Sequence, residues 1–310
     1  MNNPSSIRAW FRRVLVLATA AMLPTAASAD ILLVSQNTLH LGWGNQNYQA
    51  GKNAFIQTLA SWPNTGVPQL TMLQEVMSQA SQNAIQPIGG LVHFGNLKGA
   101  TARYLERYGF VAVNNPQNHL HIFCSVDTTP LVSTGFTMSR PPDATLVGDS
   151  SNNQQRVAWI LNFHAVFGRT VGGRQAEVSE IGRIIARLSA VVPTGCPGTT
   201  SNVIAVGDWN LPATDPAFQA LGQNAGFAQL NVAPNVATSL NPQGVPSSAY
   251  DHFVWDGARV QVSQVNLAAA QNACQTQVAI AASVLNAASL LNFRQNCSDH
   301  LGIAAIVRIF

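Results

Sequence analysis

The chain has 310 residues, of which 47% are hydrophobic and only 9% are charged. This composition excludes a disordered protein, because disordered chains combine low hydrophobicity with many charges. The formal net charge of +3 is small, and no run of like charges indicates an arm that binds nucleic acid.

Residues 1–29 are predicted to be a signal peptide. Three arginines, Arg8, Arg12 and Arg13, precede an apolar run at 14–23, and small residues at 27–29 form a cleavage site. The run has about half of the ~20 apolar residues that a membrane-spanning helix needs. We therefore expect an exported protein, periplasmic or secreted, whose mature chain is residues 30–310. Because the signal peptide carries no acidic residue, the mature chain has 13 basic and 13 acidic residues and no net charge.

Export would place the four cysteines where disulfides form. Cys124, Cys196, Cys274 and Cys297 allow three full pairings. We favour a bond between Cys274 and Cys297, which would tie a helical segment to the last strand. The alternative is that the cysteines are free buried thiols. No Cys/His spacing predicts a zinc site.

Short apolar segments alternate with longer helical segments, with no internal repeat. Strands are predicted at 31–35, 70–73, 110–113, 121–126, 157–163, 203–206, 253–255 and 303–309. Helices are predicted at 48–61, 79–88, 175–191, 216–221 and 266–292. No stretch is long and polar enough to divide the chain. We therefore predict a single α+β domain at 30–310, with two packed sheets and helices outside them.

Polar residues that can bind a metal or a phosphate stand at the ends of six predicted strands. They lie in these strings: Ser35-Gln36-Asn37, Gln74-Glu75, Phe163-His164, Gly207-Asp208-Trp209-Asn210, Tyr250-Asp251 and Ser298-Asp299-His300. Single Asp and Asn residues are common in turns, but four of the 13 acidic residues fall in these strings. Carboxylate and amide oxygens are the ligands that Mg²⁺ prefers, and a histidine oriented by an aspartate can activate water. The strings therefore favour metal-assisted phosphoryl chemistry.

At these strings the chain resembles the endonuclease/exonuclease/phosphatase superfamily, which has the DNase I-like fold. The strings occur in the family's order and extend from Asn37 to His300. The resemblance implies a four-layer α/β/β/α sandwich. It also implies a hydrolase of phosphoric esters that depends on a divalent metal, with Mg²⁺ expected and Mn²⁺ or Ca²⁺ as alternatives.

The resemblance also implies roles for individual residues. Glu75 resembles the metal-binding glutamate, Asn37 the asparagine at the metal and phosphate, and Asp299 a second carboxylate on the metal side. His300, oriented by Asp251, resembles the base that activates water.

Three further residues resemble those that contact the phosphate and the leaving group. Asp208 and Asn210 resemble the pair that positions the phosphate and the nucleophile. His164 resembles the histidine on the leaving-group side.

The resemblance leaves two assignments open. Arg140 resembles a phosphate-contacting arginine, and Arg156 is the alternative. In DNase I an acidic residue just before the strand that corresponds to 121–126 pairs with the histidine matched by His164. Here Asn118 and His119 stand in that place.

Glu106 lies in a string that matches DNase I locally, but it comes one strand too early. We therefore favour a surface glutamate at this position, beside Arg103 and Arg107.

Other polar and aromatic residues are expected to have structural roles. His40, His93 and His121 have no partner string and are expected on the surface or in the core. His252 is expected to point away from the site and Trp209 to pack beneath it. The pair Gly172-Gly173 is expected to form the turn into the helix at 175–191.

The sequence favours a DNA endonuclease. Within the superfamily, the chain resembles two branches. These are secreted DNase I and the catalytic subunit of cytolethal distending toxins. The second branch implies a toxin-type partner subunit. The alternatives are a phosphatase or a phosphodiesterase acting on phospholipid, sphingomyelin or inositol phosphate, and, in another class, a non-catalytic binding protein.

Overall fold

A computed structural model describes residues 29–42, 52, 56, 68–85, 91–101, 104–112, 120–149, 156–168, 170–265 and 287–309. Residues 1–28 of the predicted signal peptide lie outside the described residues, as do Cys274 and most of the helices predicted at 48–61 and 266–292. Lys52 and Ile56 are helical.

Fifteen strands are present among the described residues. In chain order they are β1 (Ala29–Leu41), β2 (Gln69–Val76), β3 (Leu91–Phe94), β4 (Lys98–Thr101), β5 (Tyr104–Ala112), β6 (Leu120–Asp127), β7 (Asp143–Asp149), β8 (Val157–His164), β9 (Val203–Asp208), β10 (Leu230–Ala233), β11 (Ser239–Leu240), β12 (Pro246–Ser248), β13 (Asp251–Asp256), β14 (Val260–Val265) and β15 (Ile303–Ile309). The helices are α1 (Gln79–Ile85), α2 (Val171–Ala190), α3 (Ala217–Ala225) and α4 (Ala287–Asn296), with a 3₁₀ turn at Thr129–Leu131.

The strands form two large mixed sheets. The first sheet has the order β14-β15-β1-β2-β5-β3, with β4 paired to β5, and the second has the order β10-β13-β9-β8-β7-β6. Strands β11 and β12 form a separate hairpin. In both large sheets the central pair is parallel, β1 with β2 and β8 with β9.

The sheets pack face to face, with helices on their outer faces. Alternate residues of the strands point to opposite faces, so Leu33 and Phe110 of the first sheet meet Ile160 and Val206 of the second. On the outside, α2 and α3 cover the second sheet, where Ile181 and Ile185 of α2 are buried in one cluster with Leu161 and Val203. Helix α4 covers the first sheet, where its Leu290 and Phe293 are buried with Leu32 and Val34 of β1. The predicted α+β fold, with the layers α/β/β/α, is confirmed.

The predicted elements that differ from the structure are mostly short or exposed. Helix α2 begins at Val171, four residues before the predicted start, and takes in Gly172 and Gly173, so the expected turn there is wrong. Strands β3, β4, β7, β10, β11, β12 and β14 were not predicted. Several are only two to four residues long, too short to show an alternating pattern.

The cysteines described by the structure are oxidised. Cys124 in β6 is bonded to Cys196, which follows α2, with 5.3 Å between their Cα atoms. Cys297 is also in a disulfide. Its favoured partner, Cys274, lies outside the described residues, and the part of the chain that the structure describes contains no free cysteine.

A buried lysine forms ion pairs with both ends of the long connection between β6 and β7. The Nζ atom of Lys98 lies 2.7 Å from Oδ1 of Asp127 and 2.6 Å from Oδ1 of Asp143, at the two ends of that connection. It also donates to the carbonyl of Pro141, at 2.8 Å. Lys98 therefore holds the connection, which carries Arg140, against the first sheet.

We expect Lys98→Met to lower the free energy of unfolding by about 3–5 kcal/mol, because removing one partner of a buried ion pair leaves the other charge uncompensated. Urea denaturation measures this change. The control is Arg259→Met, in which the exposed member of the Arg259–Asp256 pair is removed and a loss below about 1 kcal/mol is expected. Equal losses in the two variants would contradict the structural role of Lys98.

None of the described helices combines the length and apolarity that crossing a bilayer requires.

Candidate active site

The register of the second sheet aligns three of the polar residues from the sequence strings. His164 of β8 is paired with Asp208 of β9, and Asp208 is paired with Asp251 of β13. Gly207 makes this row possible: its φ is +143°, and a Cβ atom there would lie 1.9 Å from the carbonyl oxygen of Phe163.

The first sheet brings a second row to the same edge of the sandwich. Asn37 of β1 is paired with Gln74 of β2, and the register then shifts around Glu75, whose φ is +61°. The segment before β15 is fixed on β1, since Ser298 Oγ donates to the carbonyl of Asn37 at 2.6 Å. Gln36 Nε2 likewise donates to the carbonyl of His300 at 2.9 Å. The two rows therefore face each other across the sandwich.

Asn37 joins the two rows by linking two buried carboxylates. Its Nδ2 atom donates to Oε1 of Glu75 and to Oδ2 of Asp208, each at 3.0 Å. Its Oδ1 atom accepts the backbone N–H of Leu39, at 2.9 Å. Burial raises the pKa of Glu75, but His164, His40 and Asn37 outweigh it and lower the pKa to about 2. Glu75 is therefore a carboxylate at any ordinary pH.

An irregular segment near the end of β1 supplies a further contact to Glu75. Leu39 and His40 both have positive φ, at 45° and 55°. Lys52 Nζ donates to the carbonyls of Thr38 and Leu39 and so holds this segment. The backbone N–H of His40 donates to Oε2 of Glu75 at 2.7 Å. His40 lines the site, so its expected role as an unrelated surface or core histidine is wrong.

His300 and Asp251 form the first of two histidine–carboxylate pairs. Nδ1 of His300 lies 2.7 Å from Oδ2 of Asp251, and Nε2 lies 3.4 Å from Oδ2 of Asp208. Burial lowers the pKa of His300, but Asp251 and Asp208 raise it well above 6.5. The pKa of Asp208 is raised by burial and by Asp251, against the opposing effect of His300.

His164 forms the second pair, and its partner is Glu106. Nδ1 of His164 lies 2.9 and 3.0 Å from the two carboxylate oxygens of Glu106, which is fully buried in β5. The expected surface position of Glu106 is therefore wrong. Asn118 and His119 lie outside the described residues. Burial and Arg140 lower the pKa of His164, but Glu106 and Asp208 raise it above 6.5 overall.

The sequence contained a signal for Glu106. It alternates with Tyr104 and Tyr108, which places all three on one face of β5. Glu106 on that face contacts His164 in the second sheet. The order of strands along the chain does not reveal this contact between the sheets.

Arg140 lies against this second pair. Its Nη1 atom is 3.3 Å from Oε1 of Glu106 and 3.1 Å from Nδ1 of His164, and its Nη2 atom donates to the carbonyl of Ala165 at 2.6 Å. Among the described residues its Nε atom has no hydrogen-bond partner. Arg140 lines the site cavity, whereas Arg156, the alternative, is half-buried and is not among the lining residues.

The site opens into a cavity of about 600 Å³. Asn210 and Asp299 line it beside the two pairs, so all nine predicted site residues except Asn37 and Asp251 reach its wall. Three aromatic residues also line it: Tyr104 and Phe167, which the sequence did not single out, and Tyr250 from the string that contains Asp251. Trp209 is fully buried and donates to the carbonyl of His252, so its expected position beneath the site is confirmed.

The donor atoms at the centre of the site fit a hard divalent cation. Glu75 and Asp208 present carboxylate oxygens that share one amide donor, and oxygen ligands are those that Mg²⁺ prefers. Two clusters of three possible ligand atoms span 4.8 Å or less: Glu75, Glu106 and His164, and Asp208, Asp251 and His300. In each cluster one carboxylate already holds a histidine Nδ1 atom, which leaves Glu75 and Asp208, with Asp299 nearby, to hold a metal.

Solved structures similar to this chain share one architecture. The human Nocturnin catalytic domain with a bound sulfate anion is 14% identical, covers 92% of this chain and 96% of its own, and gives a TM-score of 0.59. An endonuclease/exonuclease/phosphatase protein from Bacteroides vulgatus is 11% identical, covers 91% and 99%, and gives 0.58. TDP2 of D. rerio, complexed with a single-strand DNA product, is 13% identical, covers 90% and 99%, and gives 0.53.

The sequence matches no family model and no curated protein. At identities this low, structural similarity establishes the fold and leaves the substrate open. The chain therefore has the DNase I-like fold of the endonuclease/exonuclease/phosphatase superfamily, as the strings in its sequence implied.

Proposed function

We propose that the chain is an exported phosphodiesterase that depends on a divalent metal and hydrolyses the backbone of DNA. One observation carries the proposal. Two buried histidine–carboxylate pairs, His300 with Asp251 and His164 with Glu106, turn their Nε2 atoms toward Asp208 in one cavity. A pair of this kind can move a proton on each side of a phosphate bound between them.

His300 is the proposed general base. Asp251 holds its Nδ1–H, which fixes the ring and leaves Nε2 to accept a proton from the attacking water. Asn210 lies next to Asp208, whose Oδ1 accepts the Asn210 backbone N–H at 2.9 Å, and the Asn210 side chain lines the cavity. Glu75 and Asp208, with Asp299, would hold the metal. When bound, the metal would offset the negative charge that develops on the phosphate oxygens.

His164 and Arg140 are the proposed groups on the leaving side. Glu106 contacts both, at 2.9 Å from His164 Nδ1 and 3.3 Å from Arg140 Nη1. Nε2 of His164 can therefore protonate or stabilise the departing oxygen. Arg140 lines the cavity, and its guanidinium charge would attract a phosphate oxygen there.

Two observations support a nucleic acid as the substrate. The TDP2 structure of the same fold holds a single-strand DNA product. The cavity combines phosphate-binding groups with aromatic side chains on its wall, Tyr104, Phe167 and Tyr250, on which bases can stack. Because the mature chain has no net charge, affinity is expected to come from the cavity and the metal and not from a general basic surface.

Export and a toxin-type partner remain parts of the proposal. The signal peptide predicted at 1–29 and the oxidised cysteines support export. Co-purification with a carbohydrate-binding chain would support the toxin branch.

The apolar wall of the cavity favours one alternative. Leu39, Leu240 and Val166 line it together with the aromatic residues, and an acyl chain could pack there as well as a base. A phospholipid or sphingomyelin phosphodiesterase with the same machinery is therefore the second candidate, and a phosphatase is another.

The mature protein with Mg²⁺ is expected to nick supercoiled plasmid DNA and to leave sphingomyelin and inositol phosphates intact. The His164→Ala variant, purified in parallel, is expected to lose most of this activity, which excludes a contaminating nuclease. Release of a headgroup or phosphate with DNA untouched would assign the enzyme to the second candidate. No hydrolysis of any of these substrates, with no Mg²⁺ or Mn²⁺ bound in a calorimetric titration, would indicate a non-catalytic binding protein.

A further inference from the structure

A glutamate of α2 holds two segments that carry site residues. Glu177 is 3% exposed. Its Oε1 atom accepts the backbone N–H of Ser139 at 3.0 Å, and its Oε2 atom accepts the backbone N–H of Val166 at 2.7 Å. The sequence pattern places Glu177 on the apolar face of the helix, among the residues that face the core, where a charged side chain is unusual.

The two amides lie next to the groups proposed to act on the leaving side. Ser139 directly precedes Arg140, and Val166 follows His164 by two residues. Ser139 and Val166 both line the cavity themselves. One side chain therefore fixes the backbone beside Arg140 relative to the backbone beside His164.

The opposite side of the same two segments is held by Tyr108. Its hydroxyl donates to the carbonyl of Arg140 at 3.0 Å and accepts the backbone N–H of His164 at 3.1 Å. Glu177 and Tyr108 therefore hold both segments from separate elements, in addition to the direct bond from Arg140 Nη2 to the carbonyl of Ala165.

A carboxylate is the residue type that this position requires. Its two oxygens each accept one N–H, which compensates for burial of the charge. A glutamine has one acceptor oxygen, and its NH₂ group would face the second backbone N–H, donor against donor. Glu177→Gln therefore keeps the shape of the side chain and breaks one of the two bonds.

We infer that Glu177 is a positioning residue that sets the placement of Arg140 and His164 around the phosphate. The inference rests on the proposed function for its kinetic consequence. Displacing a positioned group by about 1 Å can cost a factor of about 100 in rate.

The helix offers a matched control in Glu180, one turn further on. Glu180 is also buried, accepts the backbone N–H of Ser133 at 2.6 Å in the same connection and is bonded to Arg183. Ser133 does not line the cavity. Glu180→Gln therefore makes the same chemical change in the same helix, away from the site.

In kinetic assays on phosphodiesters we expect Glu177→Gln to lower kcat about 10–100-fold with little change in KM. The loss should be larger for alkyl than for aryl leaving groups, because an alkoxide depends more on protonation. Glu180→Gln should stay within about 2-fold of the unmutated protein. Equal losses in the two glutamine variants, or the same loss for both leaving groups, would overturn the inference.

An NMR measurement tests the inference without any activity. The imidazole ¹⁵N signals of His164 are expected to shift in Glu177→Gln and in Glu177→Asp, while those of His300 stay unchanged. Unchanged His164 signals in both variants would contradict the inference even if the protein hydrolyses no phosphodiester, whereas an inactive unmutated protein contradicts only the proposed function.

Discussion

His300→Ala is expected to lower kcat about 10²–10⁴-fold, the range that general acid–base catalysis contributes. The reason is the position of the ring. Nδ1 of His300 is held by Asp251 at 2.7 Å, and Nε2 faces Asp208 at 3.4 Å in the cavity. Alanine removes the proposed proton acceptor without disturbing the strand pairing beneath it. Single-turnover hydrolysis of a small phosphodiester measures the loss.

His121→Ala is the matched control, because His121 is an exposed histidine of β6 outside the cavity and its removal should leave kcat unchanged. A second test is the pair of variants His300→Ala and Asp251→Asn. Residues that act as one unit have non-additive effects, so the double variant should be little worse than His300→Ala alone. If the loss of kcat in the double variant instead equals the product of the two single losses, Asp251 does not act through His300.

Glu106→Gln is expected to lower kcat by about 10²–10⁴-fold, by analogy with the loss seen when the aspartate of a hydrolytic triad becomes asparagine. Glu106 accepts the Nδ1–H of His164 at 2.9 Å and lies 3.3 Å from Arg140. A glutamine removes the charge that raises the pKa of His164 and compensates buried Arg140. The measurement is kcat for the same diester, with circular dichroism to verify folding.

The controls for Glu106 are Asn118 and His119, the two residues at which the resemblance to DNase I places the acidic partner of His164. Because Glu106 is the partner of His164, the variants His119→Ala and Asn118→Ala should both retain activity. Full activity in Glu106→Gln together with a large loss in His119→Ala would reverse the assignment.

Local patterns were sufficient to predict the architecture. Strands β1, β2, β8 and β9 are buried on both faces, so they read as continuous apolar runs, and each ends at a polar string. The amphipathic face of α2 was equally clear, with Ile181, Ile184 and Leu188 all buried. Short edge strands such as β3 and β10 lack the length for a pattern and could not be predicted.

The site was predictable where its residues follow buried strands, and unpredictable where the contact is long-range. Asp251 and His300 come from strings that the strand pattern marked, and the structure brings them together. Glu106 reaches His164 from the other sheet, 58 residues earlier in the chain. The contact of His40 depends on two positive φ angles within β1, at Leu39 and at His40 itself, and neither residue type indicates such a backbone. Glu177 was read as part of a helix face, and its two backbone partners lie outside that helix, 38 residues earlier at Ser139 and 11 residues earlier at Val166.

The central claim is that Glu75 and Asp208 hold a metal with which the two histidine pairs hydrolyse a phosphodiester. The most direct measurement is hydrolysis of a small phosphodiester by the mature protein with Mg²⁺, after chelation with EDTA and after Mg²⁺ is restored, with Glu75→Ala alongside. We predict hydrolysis that is lost on chelation, returns with Mg²⁺ and is absent in Glu75→Ala. Hydrolysis that persists in EDTA, or that Glu75→Ala retains in full, would contradict the claim.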